Sequence, residues 1–155
     1  MNPSLNQSKE VATQYLDSAL KSALHYHQQG DLAQAENKYR EILAAMPVNV
    51  DALHLLGVLH NQKGDHQAAI DLITRAIQNF PGQPIYHNNL GNAYRDGGRC
   101  EQAIVCYQKA LQIKPDFVEV YINLGIAYHQ KADFDRAAAA YQKALTLRPQ
   151  CAEAY

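Results

Sequence analysis

Four prolines, Pro47, Pro81, Pro115 and Pro149, stand 34 residues apart, and Gly30, Gly64 and Gly98 keep the same step, with Ala132 in the fourth place. Two residue types locked in one period mark internal repetition. A period of this length belongs to stacked supersecondary units rather than to one irregular core. The proline frame divides the chain into units 16–49, 50–83, 84–117 and 118–151, and residues 152–155 open a fifth. Ala35, Ala69, Ala103 and Ala137 then share one place. With 155 residues and 47% hydrophobic composition, the whole of 1–155 is expected to form a single folded domain.

Inside each unit the apolar spacing is helical. In the fourth, Tyr121, Leu124, Gly125 and Tyr128 fall at i, i+3, i+4 and i+7, and Ala137, Tyr141, Ala144 and Leu145 repeat the pattern after a break. Each unit therefore encodes two amphipathic helices. The glycine of the 34-residue step ends the first. Asp31, Asp65 and Asp133 are predicted N-caps of the second, and the proline forbids its continuation. Gly57, Gly91 and Gly125 sit inside first helices, where glycine costs about 1 kcal/mol relative to alanine. The shared alanines are predicted to face these glycines, with Tyr26, Tyr94, Tyr128, Tyr39, Tyr107 and Tyr141 filling the wider spaces. Residues 4–15 are expected to extend the first helix toward the amino terminus, with Val11, Tyr15, Ala19 and Tyr26 on its apolar face and Ser4 with Gln7 as a capping box.

These residues resemble the tetratricopeptide repeat. The third unit supplies Leu90, Gly91, Tyr94, Ala103, Tyr107, Ala110 and Pro115, and departs at His87. The fourth supplies Tyr121, Leu124, Gly125, Tyr128, Ala137, Tyr141, Ala144 and Pro149. The second is looser, with His60 and Ile73 at aromatic places, and the first is degenerate, as a terminal repeat with one neighbour is free to be. The resemblance implies an all-α, right-handed superhelical solenoid of antiparallel helix pairs. The Asn-Leu-Gly-Asn string at 89–92 is also similar to the array that precedes the catalytic domain of O-linked N-acetylglucosamine transferases. The first two units look like arrays joined to bacterial glycosyltransferase or sulfotransferase domains. No motif of either catalytic domain is found. The opened fifth unit reads as part of a longer array, and its uncovered edge is a candidate surface for self-association.

Composition narrows the function classes. A formal net charge of −1 argues against nucleic acid or an anionic membrane as partner. Cys100, Cys106 and Cys151 show no CxxC spacing, and no two of the seven histidines stand at i and i+4. His60 and His87 are assigned to packing. There is no nucleophile elbow, phosphate loop or dinucleotide fingerprint, so the expectation is a chain with no catalytic site, cofactor or metal. A polar start and the lack of a membrane-length apolar run point to a cytoplasmic protein.

What remains is a surface. In the family resembled, first helices line a concave groove that holds a peptide or protein segment. Carried over place by place, that groove presents His54, Asn61 and Gln62 from the second unit and Asn88, Asn89, Asn92, Arg95 and Asp96 from the third. The fourth presents Glu119, Asn123, His129 and Gln130. Asn89 and Asn123 share one place in consecutive units, and an amide offers a peptide backbone both donor and acceptor. The expected function is a protein-interaction scaffold. The alternatives are a substrate-recognition segment of a larger transferase and a self-associating array.

Overall fold

The computed structural model describes the backbone of residues 3–148 and the side chains of residues 14–148. The Ser4–Gln7 cap, Val11, Pro149, Cys151 and the opened fifth unit lie outside what is described. Among the described residues eight helices follow one another: α1 Pro3–Gln28, α2 Leu32–Ala45, α3 Val50–Gln62, α4 His66–Asn79, α5 Pro84–Asp96, α6 Cys100–Ile113, α7 Val118–Gln130 and α8 Phe134–Leu147. No strand occurs among the described residues. Helices α3, α5 and α7 start at the first residue of the second, third and fourth units.

The turns within units follow from backbone chemistry. Gly30, Gly64 and Gly98 take φ of +78°, +83° and +77°, and Ala132 takes +57° at the fourth turn. The residue after each donates its N–H to a carbonyl five residues back, as Asp65 does to His60 at 2.9 Å, and this closes the first helix. The chain then restarts at once. The carboxylates of Asp31, Asp65 and Asp133 accept the N–H of Gln34, Ala68 and Arg136 at 3.1, 3.2 and 3.3 Å. Arg99 at the third turn has no such bond.

The two helices of each unit pack on each other, α2, α4 and α6 each pack on the first helix of the next unit, and α3 touches α5 as α5 touches α7. First helices therefore form one face. Three apolar clusters fill the stack, centred on Tyr39 and Leu59, on Leu53 and Ile73, and on Tyr107 and Val120. The mid-helix glycines make room chiefly for the large residue of the second helix. A Cβ on Gly91 would lie 2.5 Å from the Tyr107 ring and one on Gly125 2.5 Å from the Tyr141 ring. At Gly57 it would lie 2.6 Å from Ile73, with the Ala69 carbonyl oxygen at 3.2 Å. The second-helix aromatic or isoleucine is thus the nearest neighbour of each glycine, and at Gly57 the shared alanine, Ala69, also faces it as expected. The amino-terminal face differs at one described place: Tyr15 is 64% exposed, while Ala19 and Tyr26 pack as expected and are joined by Leu16, Leu20 and Ala23.

Two histidines show why an imidazole is tolerated at aromatic places. His87 Nε2 bonds the Pro81 carbonyl oxygen at 3.0 Å, as the Tyr121 hydroxyl donates to the Pro115 carbonyl at 3.1 Å one unit later. His60 is buried beside Glu36 and Asp65. Glu36 ties units one and two together through Lys63 at 2.6 Å, and hydrogen bonds from Lys63 and Arg40 hold its carboxyl down to about 2.

Candidate partner-binding groove

Neighbouring first helices are cross-linked by side chains 35 residues apart, one more than the repeat. Asn89 Nδ2 donates to His54 Nε2 at 2.8 Å, and Asn123 Nδ2 donates to Asn88 Oδ1 at 3.0 Å. Asn61 Nδ2 donates to Asp96 Oδ2 at 2.8 Å, His27 bonds Gln62 at 2.9 Å, and the Tyr86 hydroxyl donates to Asp51 at 3.1 Å. The extra residue reflects a slip of one place between adjacent first helices: the fifth place of one unit meets the sixth of the next, and the twelfth meets the thirteenth.

Further bonds join these rungs into one chain. Arg95 donates from Nε and Nη2 to Asp96 Oδ1 at 3.1 and 2.9 Å and from Nη1 to Asn123 Oδ1 at 3.2 Å. Asn88 donates to Asn89 Oδ1 at 3.2 Å, and His66 Nδ1 meets Asn61 Oδ1 at 2.8 Å. The connection runs unbroken from His66 through Asn61, Asp96, Arg95, Asn123, Asn88 and Asn89 to His54. Asn88 and His54 are buried within it, at 5% and 7% exposure.

This changes what the amides have left to offer. A primary amide carries two N–H donors and two lone pairs. Asn89 and Asn123 each spend one donor and one lone pair on the ladder and keep one of each. Asn92 uses its oxygen to accept the Tyr107 hydroxyl at 2.8 Å. At the carboxy-terminal end, exposed His129 meets the Phe134 ring edge-on at 5.4 Å between centroids, and Gln130 accepts the Cys100 thiol at 3.3 Å.

His54 is neutral at pH 7. Burial pushes its pKa down to about 4, against a smaller upward pull from the Asp51 carboxylate. Accepting the Asn89 N–H at Nε2 places the ring proton on Nδ1. The ring lies 4.4 Å from that of Tyr86, centroid to centroid. Burial also pushes the Cys106 thiol up to about 11, so it stays protonated and a poor nucleophile. Among the described residues, no three His, Cys, Asp or Glu side chains gather as a metal ion would need, and no described helix is long and apolar enough to cross a membrane.

One part of the face was absent from the sequence expectation. Leu20, Leu24, Leu55 and Ile85 line a hollow of about 330 Å³ together with Lys21, Asp51, His54, Gln83 and Tyr86. Ile122, at the place held by His54 and Asn88 in the units before, is 42% exposed. The signal was available: Leu20, Leu24, Leu55 and Ile122 occupy places that supplied amides in other units, and Ile85 the groove place of Asp51 and Glu119.

An all-helical stack of repeated hairpins whose first helices share one laterally bonded polar face is a repeat scaffold. Family models described as tetratricopeptide repeat match residues 20–84 and 118–151, and one described as TPR repeat matches 91–132. The chain belongs to the tetratricopeptide repeat family. A crystal structure of MamA is similar over 96% of this chain and 86% of its own, with 26% identity and a TM-score of 0.81. An O-GlcNAc transferase from Thermobaculum terrenum is similar over 76% of this chain and 22% of its own, with 33% identity and a TM-score of 0.73. The photosystem I assembly protein Ycf3 of Cuscuta gronovii is 32% identical over 83 residues, 47% of this chain and 49% of that protein. The chain thus spans about half the length of the curated relatives it matches.

Proposed function

We propose that this chain is a protein-interaction module that holds a segment of a partner protein against its first-helix face and catalyses no reaction itself. The observation that carries the reading is the ladder. It fixes the first helices of units two to four side by side, and it leaves Asn89 and Asn123 with one donor and one acceptor each, one repeat apart. That is the complement of an extended main chain. The near-neutral charge and the absence of a membrane-length helix among the described residues fit a cytoplasmic, protein-directed role.

The test needs variants that alter the face without loosening the ladder. Replacing both Asn89 and Asn123 by alanine removes partners from buried His54 and Asn88, which mixes stability with binding. Ile122→Glu with His129→Ala changes two exposed groove residues, and Val105→Ser changes an exposed residue of α6, a second helix. A partner captured on the wild-type chain, identified by mass spectrometry and measured by titration calorimetry, is expected to bind the groove variant at least about tenfold more weakly, which is about 1.4 kcal/mol. It should bind Val105→Ser unchanged. Equal affinity for all three would refute the groove.

A second reading, a substrate-recognition segment of a larger transferase, is favoured by the likeness to the O-GlcNAc transferase array. It requires a reading frame that continues into a catalytic domain, and sequencing the parent gene checks this.

A further inference from the structure

The ladder has a direction. A guanidinium only donates and a carboxylate only accepts, whereas a primary amide does either according to how it is turned. Arg95 Nη1 faces Asn123, so the oxygen of that amide has to meet it, at 3.2 Å. Nδ2 of Asn123 is then left for Asn88, whose Oδ1 accepts it at 3.0 Å. Asn88 in turn donates to Asn89 Oδ1 at 3.2 Å, and Asn89 donates to His54 Nε2 at 2.8 Å. All four bonds point the same way. Turning any one amide alone sets two donors face to face at one end and two acceptors at the other. A string that begins on a pure donor thus ends on a demand for a lone pair at His54 Nε2.

The carboxylate beside Arg95 starts a second string of the opposite sign. Asp96 Oδ2 takes Nδ2 of Asn61 at 2.8 Å, which leaves Asn61 Oδ1 to face His66 Nδ1 at 2.8 Å. That oxygen only accepts, so His66 Nδ1 has to carry a proton. Arg95 and Asp96 are themselves paired at 2.9 Å. One ion pair at the end of α5 therefore polarises two strings of amides, which finish on histidines of α3 and α4 in the unit before.

We propose that the Arg95–Asp96 pair is a positioning device that sets which ring nitrogen of His54 and of His66 holds the proton, and that a second proton on His54 breaks the rung between α3 and α5. With Nε2 protonated, His54 and Asn89 meet donor to donor. Asn89 cannot turn to offer its oxygen, because Asn88 holds that oxygen, and the constraint runs back to Arg95, which has no lone pair. The rung opens instead. Asp51 on α3, Lys21 on α1 and Tyr86 on α5 line the hollow beside His54. Asp51 favours the second proton, and burial opposes it more strongly.

Nitrogen-15 NMR of the histidine rings at pH 8, above the ordinary histidine pKa of about 6.5, reads which nitrogen is protonated. His54→Gln and His66→Gln assign the two rings. In the wild-type chain both are expected as the Nδ1–H form. Arg95→Gln replaces the pure donor by an amide that turns either way. His54 is then expected to gain a population protonated at Nε2, and its titration midpoint to rise by about one pH unit, with helical circular dichroism retained. Asn88→Ala cuts the string with the Arg95 charge in place and is expected to free His54 in the same way. In that background Arg95→Gln should add nothing further. Asp96→Asn should free His66 as Arg95→Gln frees His54. Three results would overturn the device: either ring protonated at Nε2 alone in the wild type, a His54 that stays wholly Nδ1–H in Arg95→Gln, or an Arg95→Gln effect of equal size with and without Asn88. The last is the mark of a charge acting through space.

Discussion

At its amino-terminal end the first-helix face is an aliphatic hollow around a neutral, buried histidine. Two units further along it is a ladder of amides anchored by Arg95 and Asp96. Both regions occupy the same places of the same repeat. The hollow holds Leu20 and Leu55 where the ladder holds Asn88 and Asn123. The repeat fixes where a side chain stands, because the glycine-tyrosine contact and the caps recur. Composition at those places then decides whether the surface gains affinity from buried apolar area or from hydrogen bonds. The histidine at position 54 joins the two, as a wall of one and the last rung of the other.

Acid should pull the two regions apart most strongly. Unfolded His54 takes a proton near its ordinary value of 6.5, whereas the folded residue resists it down to about 4. Below pH 6.5 the unfolded chain therefore binds more protons, and stability falls as pH drops from 6.5 to about 4. The loss is on the order of 3 kcal/mol from this residue. Urea titrations across that window should show it, and His54→Gln, which keeps an acceptor for Asn89, should flatten the slope. The Glu36 contribution is lost separately, as pH falls from about 4.5 to about 2.

Packing shared by both regions ranks next. Gly91→Ala drives a methyl into the fully buried Tyr107 ring, and even after its better helix propensity it should cost about 2 kcal/mol. Asn88→Ala touches only the ladder, removing one partner each from Asn89 and Asn123, for about 1–2 kcal/mol by denaturant unfolding. The least effect is a gain. Ala132→Gly relieves a left-handed alanine at the turn between α7 and α8 and should add about 0.5–1 kcal/mol, read as a raised Tm.

Most of the fold is legible because its signals are covalent or local. Proline cannot continue a helix, glycine enters left-handed turns, and aspartate caps the helix that follows, so Pro47, Gly64 and Asp65 announce their roles one residue at a time. The partner of each mid-helix glycine is less legible. The 34-residue step places Ala103 and Tyr107 equally well, and only helix rotation selects the ring. The ladder is hidden for a related reason. Its rungs join residues 35 apart, a slip set by how adjacent helices pack, so Asn89 is matched with His54 and not with its repeat equivalent, Leu55. The hollow was readable in Leu20, Leu55 and Ile85, but a search for polar groups at groove places passes over aliphatic ones.

Hydrogen exchange read by mass spectrometry, on the chain alone and with a captured partner, tests the central proposal most directly. The account predicts added protection in residues 16–28 and in α3, α5 and α7, with α4 and α6 unchanged. Protection confined to the second helices, with the first helices exchanging as in the free chain, would contradict it.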